Sequence, residues 1–167
     1  MTAATAPRWL TDRERHAWLS FLATTSLLED ALDRQLQRDS DLPHAYYLLM
    51  AMLSEAPGRA MRMTQLAEIT NSSPSRISHA VARLEEAGWV QRAKCPTDKR
   101  GSVATLTDAG LATVVAAAPG HVEAVRQGFL DALTPEQVEQ LIGICEAALC
   151  RLDPDGAIRR ARDPRPH

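Results

Sequence analysis

The sequence predicts a mainly α-helical chain that carries one small β-hairpin near its middle. Three observations predict it. Hydrophobic residues make up 45 % of the 167 residues while aromatics make up only 4 %, and a core drawn from Ala and Leu favours helix over sheet. Helix-start signals recur at Thr11, Ser73, Thr107 and Thr134. One stretch, from Trp89 to Leu106, breaks the helical pattern and reads as two short strands about a polar turn.

Residues 1–8 read as a loose tail. Thr11-Asp-Arg-Glu14 is a capping box, in which hydroxyl and carboxylate satisfy orphan amides at a helix start. The helix it opens should run to about Arg38. Trp18, Leu22, Leu32 and Leu36 fall on or near one face, with Phe21, Leu28 and Ala31 beside it. Asp39–Pro43 ends this helix, and Pro43 suits the first turn of the next. That second helix, His44–Glu55, is apolar almost all round and should be central and buried. Pro57-Gly58 stops it.

Thr64 is expected to cap a short helix, Gln65–Thr70, and Asn71-Ser72-Ser73 to form a turn. Ser73-Pro74 combines a capping residue with proline at the first helical position. The helix it starts should reach Ala87, with Gly88 as its stop. Strands are expected at Trp89–Cys95 and Ser102–Leu106, with Pro96–Ser102 as a charged hairpin tip. Thr107 should cap a helix to Ala118. Pro119-Gly120 should interrupt it, with helix resuming through Leu130. Thr134-Pro-Glu-Gln137 is a second capping box, opening a last helix to Leu152. Asp153–His167 is rich in Pro, Gly and Arg and is expected to be disordered and solvated. The organisation is therefore a tail (1–8), N-terminal helices (9–58), a central unit (59–106), C-terminal helices (107–152) and a second tail (153–167), in one structural domain.

Charge is uneven along this chain. The net charge is −2, yet residues 1–58, 59–100 and 101–167 carry −3, +4 and −3. A basic middle between acidic ends is the footprint of a local nucleic-acid face. No apolar run approaches the roughly 18 residues that span a bilayer, and the N-terminus lacks a basic-then-apolar leader, so a cytoplasmic protein is expected. Cys95, Cys145 and Cys150 lack disulfide-framework or metal spacing and are expected to be reduced. His16, His44, His79, His121 and His167 include no i, i+4 pair, so neither metal nor other cofactor is expected. No phosphate loop, nucleophile elbow or metalloprotease motif is present, which argues against an enzyme.

Chemistry concentrates in Thr64–Arg100. Leu66, Ala67 and Ile69 give one short helix an inner face; Ile77, Val81 and Leu84 give the next helix its own. The N-terminal half of that helix's outer face then presents Ser72, Ser73, Ser75, Arg76, Ser78 and His79, and Arg83 is a further candidate DNA contact. Small hydroxyl residues let a helix end sit deep in a major groove, and Arg can bind guanine through two hydrogen bonds. A hairpin directly after such a helix is a wing. Thr97, Asp98, Lys99 and Arg100 lie at its tip, where Arg can enter the electronegative minor groove. The fold class is thus a winged helix-turn-helix flanked by N- and C-terminal dimerisation helices. Ile142, Cys145, Leu149 and Leu152 form an apolar stripe too broad for so thin a core, which predicts a homodimer. A two-fold dimer would set two reading helices roughly 34–36 Å apart on a near-palindromic operator.

Leu66-Ala67-Glu68, Ser73-Pro-Ser-Arg-Ile-Ser78, Leu84-Glu-Glu-Ala-Gly-Trp-Val90, Pro96-Thr-Asp-Lys-Arg100 and Leu106-Thr-Asp-Ala-Gly110 together resemble the MarR (multiple antibiotic resistance regulator) family of bacterial regulators. The likeness in organisation covers residues 10–152 and is motif-specific over about 60–110. It implies a triangular homodimer that regulates transcription, usually by repression. It also implies that Ser75, Arg76, Ser78 and His79 contact the major groove, that Arg100 enters the minor groove, and that Asp98 orients the wing through a nearby Arg. Lys99 stands where a second Arg is common, and Lys is a less rigid phosphate partner.

The family likeness implies further that a phenolic or aromatic carboxylate binds between the dimerisation and DNA-binding parts and releases DNA. Trp18, Arg15, His44 and Tyr47 are the candidate residues for that effector. Two alternatives stay open on the residues. One is a winged module that binds proteins and has no operator of its own. The other is a thiol-switched regulator acting through Cys95 at the base of the wing.

Overall fold

The computed structural model describes residues 7–95 and 98–162, with backbone alone at 95, 98–100, 159, 161 and 162. In chain order the elements are α1 (Asp12–Ser40), α2 (His44–Glu55), β1 (Ala60–Arg62), α3 (Met63–Ile69), α4 (Pro74–Glu86), β2 (Val90–Cys95), β3 (Asp98–Leu106), α5 (Asp108–Gly128), α6 (Pro135–Leu152) and α7 (Ala157–Arg162). The three strands form one antiparallel sheet in the order β1-β3-β2.

Both capping boxes form as the sequence predicts. The Thr11 hydroxyl accepts from the Glu14 amide at 3.3 Å while Glu14 accepts from the Thr11 amide at 2.8 Å. Thr134 and Gln137 repeat the arrangement at 3.3 and 2.8 Å. The core lies where α2, α3, α4 and the sheet meet the C-terminal end of α1. Leu36, Leu42, Met50, Leu53, Leu66, Val81, Leu84 and Val90 are fully buried there. α2 is less enclosed than its composition predicts. Tyr47, Leu49, Met50 and Leu53 are buried, but Leu48 faces outward.

Four expectations are corrected. Ala60–Arg62 shows no strand signal of its own, yet it adds an edge strand because β3 offers a free row of backbone groups; Ala60 pairs with Thr105 and Arg62 with Val103. Helix α3 begins at Met63, behind Arg62 with no side-chain cap, so Thr64 sits inside the first turn and does not cap it. Pro119 does not interrupt α5, which runs unbroken from Asp108 to Gly128. Pro119 removes one amide from the ladder, and packing of α5 along α1 holds the turn. Gly120 permits the approach: a Cβ there would stand 3.1 Å from Gln35 Nε2. Lastly, residues 153–162 form a turn and the short helix α7. Asp153 is buried, its Oδ1 accepts from the Ala157 amide at 2.9 Å, and α7 docks on α3.

One junction ties the wing, α4 and α5 together. Gly88 turns the chain out of α4 with φ +74°, a left-handed conformation that a Cβ would oppose. The Thr107 hydroxyl donates to the Gly88 carbonyl at 2.8 Å, and the Thr107 amide donates to the Trp89 carbonyl at 3.0 Å. The same hydroxyl caps α5 by accepting from the Gly110 amide at 3.0 Å. Gly110 packs directly on the Trp89 carbonyl, leaving no room for a side chain; a Cβ would also lie 2.7 Å from Leu106 Cδ1.

Gly110→Ala should therefore destabilise the protein by about 1–3 kcal/mol, the usual cost of overpacking. Urea denaturation measures this, and an unchanged midpoint would show that the junction yields freely.

Candidate nucleic-acid interface

The candidate reading helix is α4. Ser73 caps it, its hydroxyl accepting from the Arg76 amide at 3.3 Å, and Pro74 occupies the first turn. Ile77, Val81 and Leu84 are buried in the core, so helical periodicity turns Ser75, Arg76, His79 and Arg83 to the surface. Ser73 is exposed beside them at the N-terminal end, where the helix dipole favours a phosphate.

Two of the expected groove residues are already engaged. Ser78 is half-buried, and its hydroxyl accepts from Arg92 Nη1 at 3.2 Å. Arg83 bonds Glu86 at 2.9 Å on the same helix, and that carboxylate raises its pKa. Arg76 and His79 have no ion-pair partner among the described residues.

The wing is β2 and β3. Strand β3 starts at Asp98, four residues earlier than the sequence predicts. Asp98, Lys99 and Arg100 thus belong to a strand instead of a loose tip. The register runs Val90↔Leu106 to Lys94↔Ser102, then shifts so that Cys95 faces Asp98. That shift marks a bulge, which bends a hairpin end and re-aims its side chains. Thr97 lies outside the described residues.

Arg92 and Glu85 were not singled out by the sequence. Glu85 accepts from the Arg92 backbone amide at 3.0 Å, and its carboxylate lies 3.5 Å from Arg92 Nε. The spacing of Ser78 and Glu85, two helical turns apart, was the available signal. What it lacked was the strand lying alongside.

The four effector candidates do not form one cluster in the protomer. Arg15 and Trp18 are exposed on the first half of α1, where Trp18 stacks on Phe21 with centroids 6.2 Å apart. His44 and Tyr47 meet His121 of α5, with centroids 5.3 and 4.5 Å apart. The His44 amide is held by Asp33 Oδ1 at 2.9 Å. Asp33 lies fifteen residues beyond Trp18, which is ~22 Å along a helix. A separate cleft of about 580 Å³ opens between α2 and the reading unit. Leu48, Met52, Thr70, Arg76, His79 and Ala80 are among the residues lining it.

Comparison with known proteins places this arrangement. The MarR family model matches residues 40–101. The structure of Sco3205, a MarR family transcriptional regulator from Streptomyces coelicolor in complex with DNA, superposes with a TM-score of 0.82. It is 52 % identical and covers 87 % of this chain and 91 % of that one. The chain belongs to the MarR family.

AbsC, another MarR family regulator from Streptomyces coelicolor, is 40 % identical with a TM-score of 0.83, over 88 % of this chain and 99 % of its own. The HTH-type transcriptional regulator YdcH of Bacillus subtilis is 33 % identical over 55 % of this chain, and the match spans 63 % of its length. These relatives are transcriptional regulators. Among the described residues no helix is long and apolar enough to cross a membrane.

The His44–His121 contact gives this MarR-family protein an acid-sensitive seam. Burial lowers the pKa of both rings; Asp33 and Glu29 oppose the shift at His44, while His44 adds to it at His121. His121 Nδ1 is buried without a hydrogen-bond partner among the described residues. The unfolded chain therefore takes up protons first as pH falls through about 6.5, the ordinary histidine value. Stability is fully present above that pH and declines below it. Glu14, Asp39 and Glu136, whose pKa values hydrogen bonds lower, act in a separate window below about pH 4.5. His121→Phe should flatten the stability change between pH 7.5 and 5.5 in urea melts. Equal slopes in both proteins would clear the ring pair of that role.

Proposed function

We propose that this protein is a homodimeric, operator-reading repressor whose DNA affinity a small aromatic anion lowers. The observation that carries the reading is the exposed N-terminal half of α4, with Ser75, Arg76 and His79 held beside a wing whose β3 carries Arg100. Helix and wing supply two groove readers from one rigid unit. The likeness to Sco3205, solved with DNA, supports the same reading.

Exposed apolar faces support the dimer. Trp18, Leu19, Phe21, Leu22 and Leu27 are 42–67 % exposed on α1, and Ile142, Ile144 and Leu152 are 46–79 % exposed on α6. Helix α6 has no buried residue at all. A monomer rarely leaves so much contiguous apolar surface in water. A second copy laid against α1 and α6 would cover these faces by two-fold symmetry. Because the four candidates do not cluster within one protomer, the effector site we propose is shared between subunits. A phenolic carboxylate would stack on Trp18 and pair with Arg15, with His44 and Tyr47 lining the opposite wall. A panel of such carboxylates in thermal-shift and DNA-release assays tests this, and no response to any of them would refute it.

Fluorescence anisotropy on a duplex from upstream of the protein's own gene, against random duplex at about 150 mM salt, tests DNA reading. Preference of at least about a thousandfold is expected. Arg76→Ala should cost about 1–3 kcal/mol on the preferred duplex and little on random DNA. Arg100→Ala should weaken both and lower the salt slope by about one unit. Equal losses for Arg76→Ala on both duplexes would assign that residue to phosphate. Leu22→Glu should shift the sedimentation mass from dimer toward monomer, and an unchanged mass would remove α1 from the interface.

A further inference from the structure

Strand β2 is an edge strand, so one row of its backbone groups is left without a sheet partner. At Arg92 that row meets the reading helix. The Arg92 amide donates to Glu85 Oε1 at 3.0 Å, its Nε lies 3.5 Å from Glu85 Oε2, and its Nη1 donates to the Ser78 hydroxyl at 3.2 Å. One wing residue thus grips α4 at two points seven residues apart, ~10.5 Å along the helix axis. Arg92 is exposed at 37 % and Glu85 is half-buried at 30 %, so solvent reaches the pair from the Arg92 side.

The grip acts across a hinge. Between α4 and β2 the chain passes through Ala87, Gly88 and Trp89, and Gly88 is the residue with a left-handed backbone. Thr107 holds the far side of this turn through the Gly88 and Trp89 carbonyls. Core packing of Val90, Ala104 and Leu106 holds the base of the hairpin, and the Ser78–Arg92–Glu85 contacts add a hold farther along β2, between its free edge and α4.

We propose that Glu85 and Arg92 are positioning residues that lock the wing to the reading helix, setting the offset between the major-groove and minor-groove contacts. Ser78 belongs to this lock and does not read a base. The proposal rests on the DNA-reading function above. A reader with a fixed offset pays little ordering entropy on a site of matching spacing and cannot adjust to a mismatched one. A loosened wing keeps its phosphate contacts and loses discrimination. Removing Glu85 also removes a negative charge beside the DNA face, so random-duplex affinity should hold or rise.

The test uses the full chain and a duplex that the wild type selects from a random pool. Affinities for that duplex and for a random one are measured for wild type, Glu85→Ala, Glu85→Gln, Arg92→Ala and the Glu85→Ala/Arg92→Ala double variant. Amide hydrogen exchange at Arg92 is followed without DNA. Glu85→Ala should lower the selected-to-random ratio about fivefold or more, and the double variant should lose little beyond the worse single. Glu85→Gln, which keeps an acceptor for the Arg92 amide, should retain part of the ratio. Arg92 amide protection should fall in Glu85→Ala while the urea midpoint stays within the folded range. A selected duplex whose ratio Glu85→Ala leaves unchanged overturns the lock alone, and so do additive losses, which would mean that Arg92 contacts phosphate independently. A wild-type chain that selects no duplex overturns the DNA reading itself.

Discussion

The turn after α4 must satisfy three elements at once. It ends the reading helix, starts the wing and receives the first turn of α5. Thr107 meets all three demands with one side chain: its hydroxyl donates to Gly88, stays in reach of Trp89 and accepts from the Gly110 amide. Gly88 supplies the backbone conformation, and Gly110 supplies the space. Each residue type is required by a different physical limit, namely hydrogen-bond valence, φ and van der Waals contact. The Leu-Thr-x-x-Gly motif at Leu106–Gly110 is therefore structural chemistry. It joins the end of α4, the start of the wing and the first turn of α5 in one junction.

From this junction α5 carries the geometry outward. It leaves Thr107 as a capped helix, packs along α1 and ends beyond the His44–His121 contact. The buried end of α1, with Leu32, Gln35 and Leu36, belongs to the reading head; its other end is apolar and open. Proteins that couple distant sites commonly do so with packed elements having discrete arrangements.

Legibility in the sequence followed the range of the interactions. Caps at Thr11, Ser73, Thr107 and Thr134 were readable because donor and acceptor lie three residues apart. The inner faces of α3 and α4 were readable because helical periodicity is local. Pro119 misled because its effect on an isolated helix is large, whereas here α1 holds both flanking turns. β1 has three residues and no pattern; it exists because β3 has an unfilled edge. α7 depends on a buried Asp153 and on the surface of α3, which composition cannot reveal. Within the reading face, Arg76 and His79 were placed correctly as exposed, but Ser78 was not, since its partner comes from a strand fourteen residues on. The effector set separated for a similar reason: helix faces show in the sequence, but distances between helices do not.

The charge pattern gains a different meaning once the pairs are known. The middle of the chain carries a formal +4, but Arg59, Arg83 and Arg92 are paired with Asp108, Glu86 and Glu85. Glu85 and Glu86 are already counted in that +4, so of these pairs only Arg59–Asp108, with an acid from outside the stretch, lowers the local charge further. A net charge of −2 over the whole chain opposes sliding contact with any polyanion. Both effects reduce sequence-independent affinity, which is almost wholly electrostatic. What remains must come from shape and hydrogen bonding at a fixed offset, and these discriminate between sequences where bulk charge does not. On the DNA-reading function proposed above, an acidic chain with a small basic face would give up binding strength on all DNA to gain contrast on a few sites, and the rigidity of the wing on α4 would set the size of that contrast.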